Sequence, residues 1–287
     1  MKKSISGVGR AGHYQPEIRP GLAFRGRRVY ENGVSQSERT QVIDAETAES
    51  GWKALYQVGG ITALIAVALP LAEVAIGFLP GAARLTQQTV TVVDWFTLFQ
   101  SHWFLGLRNL GLLNIIGAAL LAPTFVAIYS ALRRDNEAFG ALGTILFFLG
   151  VAVYIASSRA FPMLSLSGQY ASATTDAQRS LFIAAGQAML AEGRTRAGIP
   201  LIEFASLVIS VVMLRGKVFS KATGYAGILG NVLLIVVEII STFLRRLPDA
   251  GMLIAVGGGL SMMIWYLLVG RRLLQLGRLS PEEVAPH

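Results

Sequence analysis

The sequence predicts an all-α integral membrane protein built around a bundle of six transmembrane helices. Hydrophobic residues make up 53% of the 287-residue chain and charged residues only 15%, with a mean hydropathy of +0.54, which is outside the range of soluble domains. The apolar residues also form six runs of about 20 residues, and each run can cross a hydrocarbon core about 30 Å thick. A bundle of soluble helices is disfavoured, because six nearly uncharged runs leave almost no amphipathic surface.

The six runs follow one another along most of the chain and are separated by polar loops. They extend over residues 56–79, 104–130, 139–158, 199–214, 223–244 and 252–270. The charged residues 133–137 predict a tight turn between the second and third runs. Arg271 and Arg272 end the sixth run at a membrane face.

Polar segments flank this transmembrane domain at both ends. We predict a flexible cytoplasmic tail over residues 1–50, the six-helix domain over residues 51–277 and a short C-terminal tail over residues 278–287. The basic start of the chain is followed by Ser, Gly and Arg instead of an apolar core, so no cleavable secretory signal is expected.

The distribution of Lys and Arg predicts the orientation of the helices, since cytoplasmic loops carry an excess of these residues. Basic residues follow the second, fourth and sixth runs, at Arg133, Arg134, Arg215, Lys217, Lys221, Arg271, Arg272 and Arg278. The short loops on the opposite side hold fewer, at Arg84, Arg245 and Arg246. The bias predicts a multi-pass protein of the cell inner (plasma) membrane with both termini in the cytoplasm.

The long outer loop between the third and fourth runs predicts an extra amphipathic helix. Thr175 and Asp176 are suited to cap a helix over residues 177–190. Leu181, Ala185 and Met189 share one face of that helix, which favours a position on the bundle or in the membrane interface. A structural cover is the favoured role, and a ligand-dependent lid is the alternative.

Ionisable residues within the apolar runs are the candidate functional residues. A carboxylate near the bilayer interior costs about 2.5 kcal/mol or more, so it normally faces protein or water. Three Glu residues lie at similar depths in the predicted outer leaflet, and two Arg residues and one Asn reach the same level. Together they predict an outward-facing polar chamber for a small molecule or ion, formed by Glu73, Arg108, Asn109, Arg159, Glu203 and Glu238.

One other interpretation of these residues remains open. The Arg side chains can extend separately to headgroups while each Glu is neutral or has one partner. If the helices do converge, Glu238 needs a partner from another helix, because aliphatic residues surround it in sequence, and Arg108 is the first choice.

Several function classes are disfavoured by what the sequence lacks. The chain has no Cys and only three widely separated His residues, so thiol chemistry, metal sites and haem are not expected, and no cofactor is predicted. The string GVGRAG at residues 7–12 matches a dinucleotide-binding fingerprint but lacks the strand and helix that this motif requires. No catalytic residues are assigned, because no nucleophile and base pair is apparent. The net charge of +8 is attributed to topology and anionic lipid, not to nucleic acid.

Three segments resemble a known group of bacterial membrane proteins. They are SLSGQYASATTDAQR at residues 165–179, AAGQ at 184–187 and FSKATGYAGILG at 219–230. They are similar to the domain-of-unknown-function family numbered 4386, over roughly residues 51–277. The resemblance implies a six-helix bacterial membrane protein, and it supplies no reaction and no functional residues.

Two functions are therefore carried forward. The first is binding or transport of a small molecule or ion through the outward-facing chamber, with the lipid bilayer as the surrounding partner. The second is a non-catalytic accessory or scaffold subunit that contacts another membrane protein, in which the polar residues only specify helix packing.

Overall fold

The computed structural model describes residues 36–77, 91–192, 198–243 and 249–278, with side-chain surroundings for residues 51–75, 91–191, 198–241, 243 and 250–278. Over these ranges the chain is helical apart from short connections, and no strand occurs. The chain divides into two compact units, residues 1–47 and residues 48–287. Most of the predicted tail, residues 1–35, lies outside the described residues, as do residues 279–287 of the predicted C-terminal tail.

Ten helices follow one another in the described ranges. They are α1 (Gln36–Gly77), α2 (Val92–Ser101), α3 (Trp103–Asn109), α4 (Leu112–Leu120), α5 (Ala122–Ala156), α6 (Ala160–Ser172), α7 (Asp176–Glu192), α8 (Ile199–Arg215), α9 (Lys221–Phe243) and α10 (Asp249–Leu276). The helix α1 begins before residue 50, so residues 36–50 of the predicted tail are helical.

Among the residues that the structure describes, four helical stretches are long and apolar enough to cross a membrane. They are Gly51–Ala75, Leu112–Ser172, Lys221–Ser241 and Ala250–Leu276. Large aliphatic side chains on their outer faces, such as Ile145, Leu253 and Leu260, are exposed. Because such a surface is unfavourable in water and suits lipid, the architecture is that of a multi-pass membrane protein.

The segment α5 consists of two helical halves that form a hairpin, and the chain reverses direction between them at Asn136. This residue has φ −159° and ψ 88°, which are not helical angles. Its side-chain Oδ1 accepts a hydrogen bond of 3.3 Å from the backbone N–H of Phe139, so it caps the second half of the hairpin. The reversal falls within the tight turn predicted from residues 133–137.

The main bundle is formed by α1, α4, α5, α8, α9 and α10. Its buried core includes stacked aromatic side chains from both halves of α5 and Trp265 of α10. The helix α1 joins this bundle through close backbone approach at Gly59, where an added Cβ would lie 2.6 Å from the Cβ of Ala127. Thr124 uses that approach to donate a hydrogen bond of 2.8 Å to the carbonyl of Gly59. Small residues therefore allow interhelical hydrogen bonding here, as is usual in membranes.

The glycine stripe of α9 is a second site of close packing. A Cβ added at Gly224 would lie 2.5 Å from Leu214 of α8, and one at Gly230 would lie 2.8 Å from Met262 of α10. Between them, Gly227 abuts the ring of Trp265. The stripe lets α9 approach α8 and α10 together, which is the packing role that its three-residue spacing predicts.

A separate apolar core is formed by α2, α3, α6 and α7, which we call the short-helix cluster. Its buried side chains are Val92, Trp95, Phe96, Phe99, Leu107, Ala160 and Met163. The hydroxyl of Ser167 in α6 donates a hydrogen bond of 2.9 Å to the carbonyl of Phe96 in α2. The helices of this cluster therefore pack on one another.

The second predicted apolar run differs from the observed structure. It is not one helix, because the chain breaks between α3 and α4, where Gly111 has φ +99°. Only glycine adopts this left-handed conformation readily, so the break is encoded at that position. Arg108 was predicted to lie in the second spanning helix, and that placement is wrong, because Arg108 belongs to the short helix α3. The helices α2 and α6 were not predicted.

The helix α7 occupies the region where the sequence predicts an extra helix. The partly buried apolar side chains of α7, which pack against the buried side chains of the short-helix cluster, are Phe182, Ile183, Met189 and Leu190. Leu181, which was expected on the apolar face, is 64% exposed. The buried face is therefore rotated relative to the predicted one.

Candidate functional site

A cavity of about 290 Å³ lies within the main bundle. Its walls come from α1, α4, α5, α8 and α10, and most of them are apolar. Four polar side chains interrupt the apolar lining, namely those of Glu73, Asn114, Tyr154 and Tyr266. A concave, mostly apolar space with a few polar groups is the usual form of a small-molecule site, and this volume is at the lower end of such sites. The cavity is partly open to the surface, since its lining residues Pro70 and Asn114 are exposed.

The face of α1 that lines the cavity follows helical spacing. Ala66, Leu69, Pro70 and Glu73 are separated by three, one and three residues, which places them on one side of the helix. Pro70 has no N–H, so it cannot donate the helical hydrogen bond to the carbonyl of Ala66. Both residues line the cavity.

The facing wall comes from α4 and is kept open by a glycine. Gly117 lines the cavity, and a Cβ added there would meet only Leu69 Cδ1, at 3.5 Å, among the described atoms. Asn114 lies one turn earlier on the same face and supplies an amide group that can both donate and accept. Larger side chains at position 117 would occupy the space that a ligand needs.

The cavity lies towards one end of the bundle. Glu73 is close to the end of α1, Tyr154 is close to the end of α5, and Ile199 and Ile202 are in the first turn of α8. These are the helix ends that lead into or out of the short-helix cluster. By the predicted orientation, this is the outer end.

The structure distributes the six predicted site residues over several places. Glu73 lines the cavity, and it is partly exposed. Glu203 on α8 is buried, with 8% exposure, and it directly follows the lining residue Ile202. Glu238 is partly exposed on α9. Whether these carboxyl groups share one chamber stays a prediction.

The predicted cationic residues belong to the short-helix cluster. Arg159 precedes α6, and its Nη1 donates a hydrogen bond of 3.4 Å to the carbonyl of Leu190 in α7. Arg108 in α3 is 6% exposed, and its Nε and Nη2 atoms have no hydrogen-bond partner among the described residues. The buried Nδ2 of Asn109 likewise has no hydrogen-bond partner among the described residues. The pairing of Arg108 with Glu238 stays a prediction.

Tyr154 and Tyr266 were not predicted as site residues. Each lies in an apolar run, where a tyrosine is equally typical of helix packing or of the membrane interface. In the sequence, Asn114 is a polar residue within the second apolar run, where an amide is most often a hydrogen-bonding contact between helices. What assigns all three to a site is their convergence on the cavity.

The arrangement does not resemble a metal centre. Within the described ranges, no group of three or more His, Cys, Asp or Glu side chains is close enough to hold a metal ion. The polar groups that line the cavity are one carboxyl, one amide and two phenols, which can bind a ligand by hydrogen bonds and charge.

Comparison of the chain with protein-family models, curated proteins and solved structures gives no match. The resemblance to the domain-of-unknown-function family numbered 4386 therefore stays a prediction.

Proposed function

We propose that this protein binds a small molecule or ion in the cavity beside Glu73 and acts as a binder or transporter in the membrane. The observation that supports the proposal is the convergence of a carboxyl group, an amide and two phenols on one space whose remaining walls are apolar. Polar groups in a membrane interior are costly, and they are commonly functional. Helix packing alone does not require them to surround a cavity.

The proposal includes six membrane spans. Residues 112–135, which comprise α4 and the first half of α5, extend about 36 Å, and residues 137–156 extend about 30 Å. The 17-residue helix α8 extends about 25 Å, enough to cross most of the hydrocarbon core. Together with the apolar parts of α1, α9 and α10, these helices give six crossings and place both termini on the same side.

The proposal also places the short-helix cluster at the outer membrane interface, with α7 lying along that surface. Trp103 and Phe104, the first two residues of α3, are 59% and 54% exposed. Aromatic side chains favour the headgroup region, where an apolar ring and a polar tip are both accommodated. Lys and Arg after the second, fourth and sixth runs support a cytoplasmic position for the other end and for both termini.

The proposal is tested by ligand-induced stabilisation of the purified chain in nanodiscs. A library of small cations, anions and neutral solutes is screened for a shift in thermal unfolding, since a ligand that binds only the folded state stabilises it. Gly117→Leu is expected to abolish the shift by filling the cavity. Gly259→Leu is the matched control, because a Cβ at that position has no described atom within 4 Å.

Two outcomes would contradict the proposal. One is that no solute stabilises the wild-type chain. The other is that Gly117→Leu, while folded, keeps the full shift. In either case the accessory or scaffold function becomes the better interpretation.

A further inference from the structure

We infer that the short-helix cluster binds the phosphate group of a ligand at the buried guanidinium of Arg108. This site is separate from the cavity beside Glu73, because the cavity lining includes neither Arg108 nor the adjacent Asn109. The inference therefore goes beyond the proposed function, and it does not need a ligand in that cavity.

The first observation is a buried charge without a partner. Arg108 is 6% exposed, and its Nε and Nη2 atoms have no hydrogen-bond partner among the described residues. A guanidinium keeps its charge in proteins, so it cannot relieve this burial by losing a proton. An Arg side chain that only extends to lipid headgroups would keep its charged tip exposed. The charge of Arg108 therefore needs a partner from outside the described residues.

The two unpartnered atoms specify the shape of that partner. Nε and Nη2 of Arg108 lie on the same edge of the planar guanidinium, and their N–H bonds point in nearly the same direction. Two parallel donors of this kind match two oxygens of a phosphate or a carboxylate group. A water molecule can also accept from this edge, but it brings no negative charge.

The described carboxylates of the short-helix cluster are engaged elsewhere. Among the side chains that the structure describes in α2, α3, α6 and α7, only Asp94 and Asp176 carry a carboxylate. Asp94 is exposed and accepts hydrogen bonds from Thr91. Asp176 is also exposed, and its Oδ1 lies 3.9 Å from Nη1 of Arg179. We therefore expect the partner of Arg108 to be a bound ligand.

The other unsatisfied atoms of the cluster are also donors. Nδ2 of Asn109 and Nε1 of Trp95 are buried and have no partner among the described residues. They are placed on two helices in close contact, because a Cβ added at Gly106 of α3 would lie 2.6 Å from the Phe99 ring of α2. Trp95 is one helical turn from Phe99, and Asn109 is one turn from Gly106. Unsatisfied atoms that are all N–H groups favour an anionic ligand.

The surroundings favour a phosphate over a carboxylate. The oxygens of a phosphate group point in more directions, so they can accept from the Arg108 edge and from a further donor such as Asn109. Phe104, which is 54% exposed, lies one turn before Arg108 on the same face of α3. A ligand can approach from this exposed surface, and its phosphate can belong to a phospholipid headgroup or be free phosphate.

The test uses the delipidated wild-type chain in dodecyl maltoside, with thermal unfolding as the readout. Phosphatidylglycerol is compared with digalactosyldiacylglycerol, which lacks phosphate, and sodium phosphate is compared with sodium chloride at the same ionic strength. We expect at least one phosphate source to raise the melting temperature more than its control, because a ligand that binds only the folded state stabilises it. Stabilisation by phosphatidylglycerol alone identifies a lipid headgroup, and stabilisation by sodium phosphate identifies free phosphate.

A pair of substitutions locates the site. Arg108→Met removes the guanidinium and should weaken the apparent affinity for the phosphate source at least about tenfold, because the charge-assisted hydrogen bonds are lost. Arg179→Met is the matched control, since Arg179 carries the same charge in the same cluster but its side chain is 53% exposed. It should change the affinity less than about twofold. Without phosphate, Arg108→Met should be at least as stable as the wild type, because it removes a buried charge that lacks a partner.

Two results would overturn the inference. One is that neither phosphate source stabilises the wild-type chain more than its control, a comparison that decides even if Arg108→Met fails to fold. The other is that Arg108→Met responds to phosphate as strongly as Arg179→Met does. If Arg108→Met were then also less stable than the wild type without phosphate, a carboxylate of the chain would be the partner of Arg108. Gly117→Leu, which fills the cavity beside Glu73, should leave the phosphate response unchanged, so the two sites are tested separately.

Discussion

The rings of Phe125 and Phe147 are stacked face to face, with centroids 3.5 Å apart and an interplanar angle of 7°. The two residues are 22 positions apart within α5, and on a straight helix they would be separated by about 33 Å. The chain must therefore reverse between them, which it does at Asn136. This aromatic pair holds together the two halves of the hairpin that forms one wall of the bundle.

Replacement of Phe147 by Ala should destabilise the bundle by about 3–5 kcal/mol. The side chain is fully buried, and its removal leaves a cavity beside Phe125. Phe148→Ala is the matched control, because Phe148 is 40% exposed and faces outward. Unfolding by chemical denaturant in lipid nanodiscs measures both variants. Equal effects at the two positions would show that the stacked pair does not stabilise the hairpin.

Gly227→Ala should destabilise the contact between α8, α9 and α10 by about 1–3 kcal/mol. The new Cβ would lie 2.6 Å from Nε1 of Trp265, and it would also contact the Ser210 hydroxyl. Neither neighbour is at the end of a flexible chain, so the helices must separate. Gly259→Ala introduces the same helix-favouring change without a contact and should be neutral or slightly stabilising. The difference in melting temperature between the two variants isolates the steric effect.

Substitution of the other predicted carboxyl residues distinguishes a binder from a scaffold. Glu203→Gln should reduce ligand-induced stabilisation, because Glu203 is buried next to a residue of the cavity wall. At a ligand concentration of 100 Kd the wild-type stabilisation is about 2.7 kcal/mol, so a tenfold loss of affinity is readily measured. Glu238→Gln tests whether α9 joins the chamber. A scaffold would keep both its partners and its thermal stability in each variant.

Single Cys substitutions test the orientation. The native chain has no Cys, so an impermeant thiol reagent gives no background. We expect Thr175→Cys to be labelled in intact cells, and Arg134→Cys and Lys217→Cys only after the membrane is opened. Labelling of position 217 in intact cells as readily as position 175 would show that the orientation is wrong.

The stability of the first turn of α2 should depend on pH, because the carboxyl group of Asp94 takes part in capping that turn. Hydrogen bonds from the side chain and then the backbone of Thr91 lower the pKa of the Asp94 carboxyl group below its usual value of 3.8. Because the folded-state pKa is lowered, its contribution is fully present above the usual value and is lost as the pH falls towards the folded-state pKa. Hydrogen exchange over residues 92–101, corrected for the intrinsic rate, should differ between wild type and Asp94→Asn near neutrality. The difference should shrink below about pH 4. If the difference in exchange rate between the two proteins were constant across the pH range, Asp94 would not cap α2 in this way.

The features that could be predicted from the sequence are those encoded locally. An apolar run of sufficient length can span a bilayer whatever its neighbours are. Lipid surrounds its apolar side chains, and the helix itself satisfies the hydrogen bonds of its backbone. The turn at residues 133–137 and the helix that begins at Asp176 likewise depend on polar and capping residues close in sequence.

The tertiary structure decided which residues meet. Glu73, Asn114 and Tyr266 are far apart in the chain, and they line one cavity only because α1, α4 and α10 converge. The helices α2 and α3 are too short to be stable alone, so their formation depends on the shared core of the short-helix cluster. Arg108 was predicted to share a chamber with Glu238 because both have similar depths in sequence. Whether they share a chamber stays a prediction. The position of Arg108 on the short helix α3 follows from the break at Gly111 and from packing, which hydropathy does not encode.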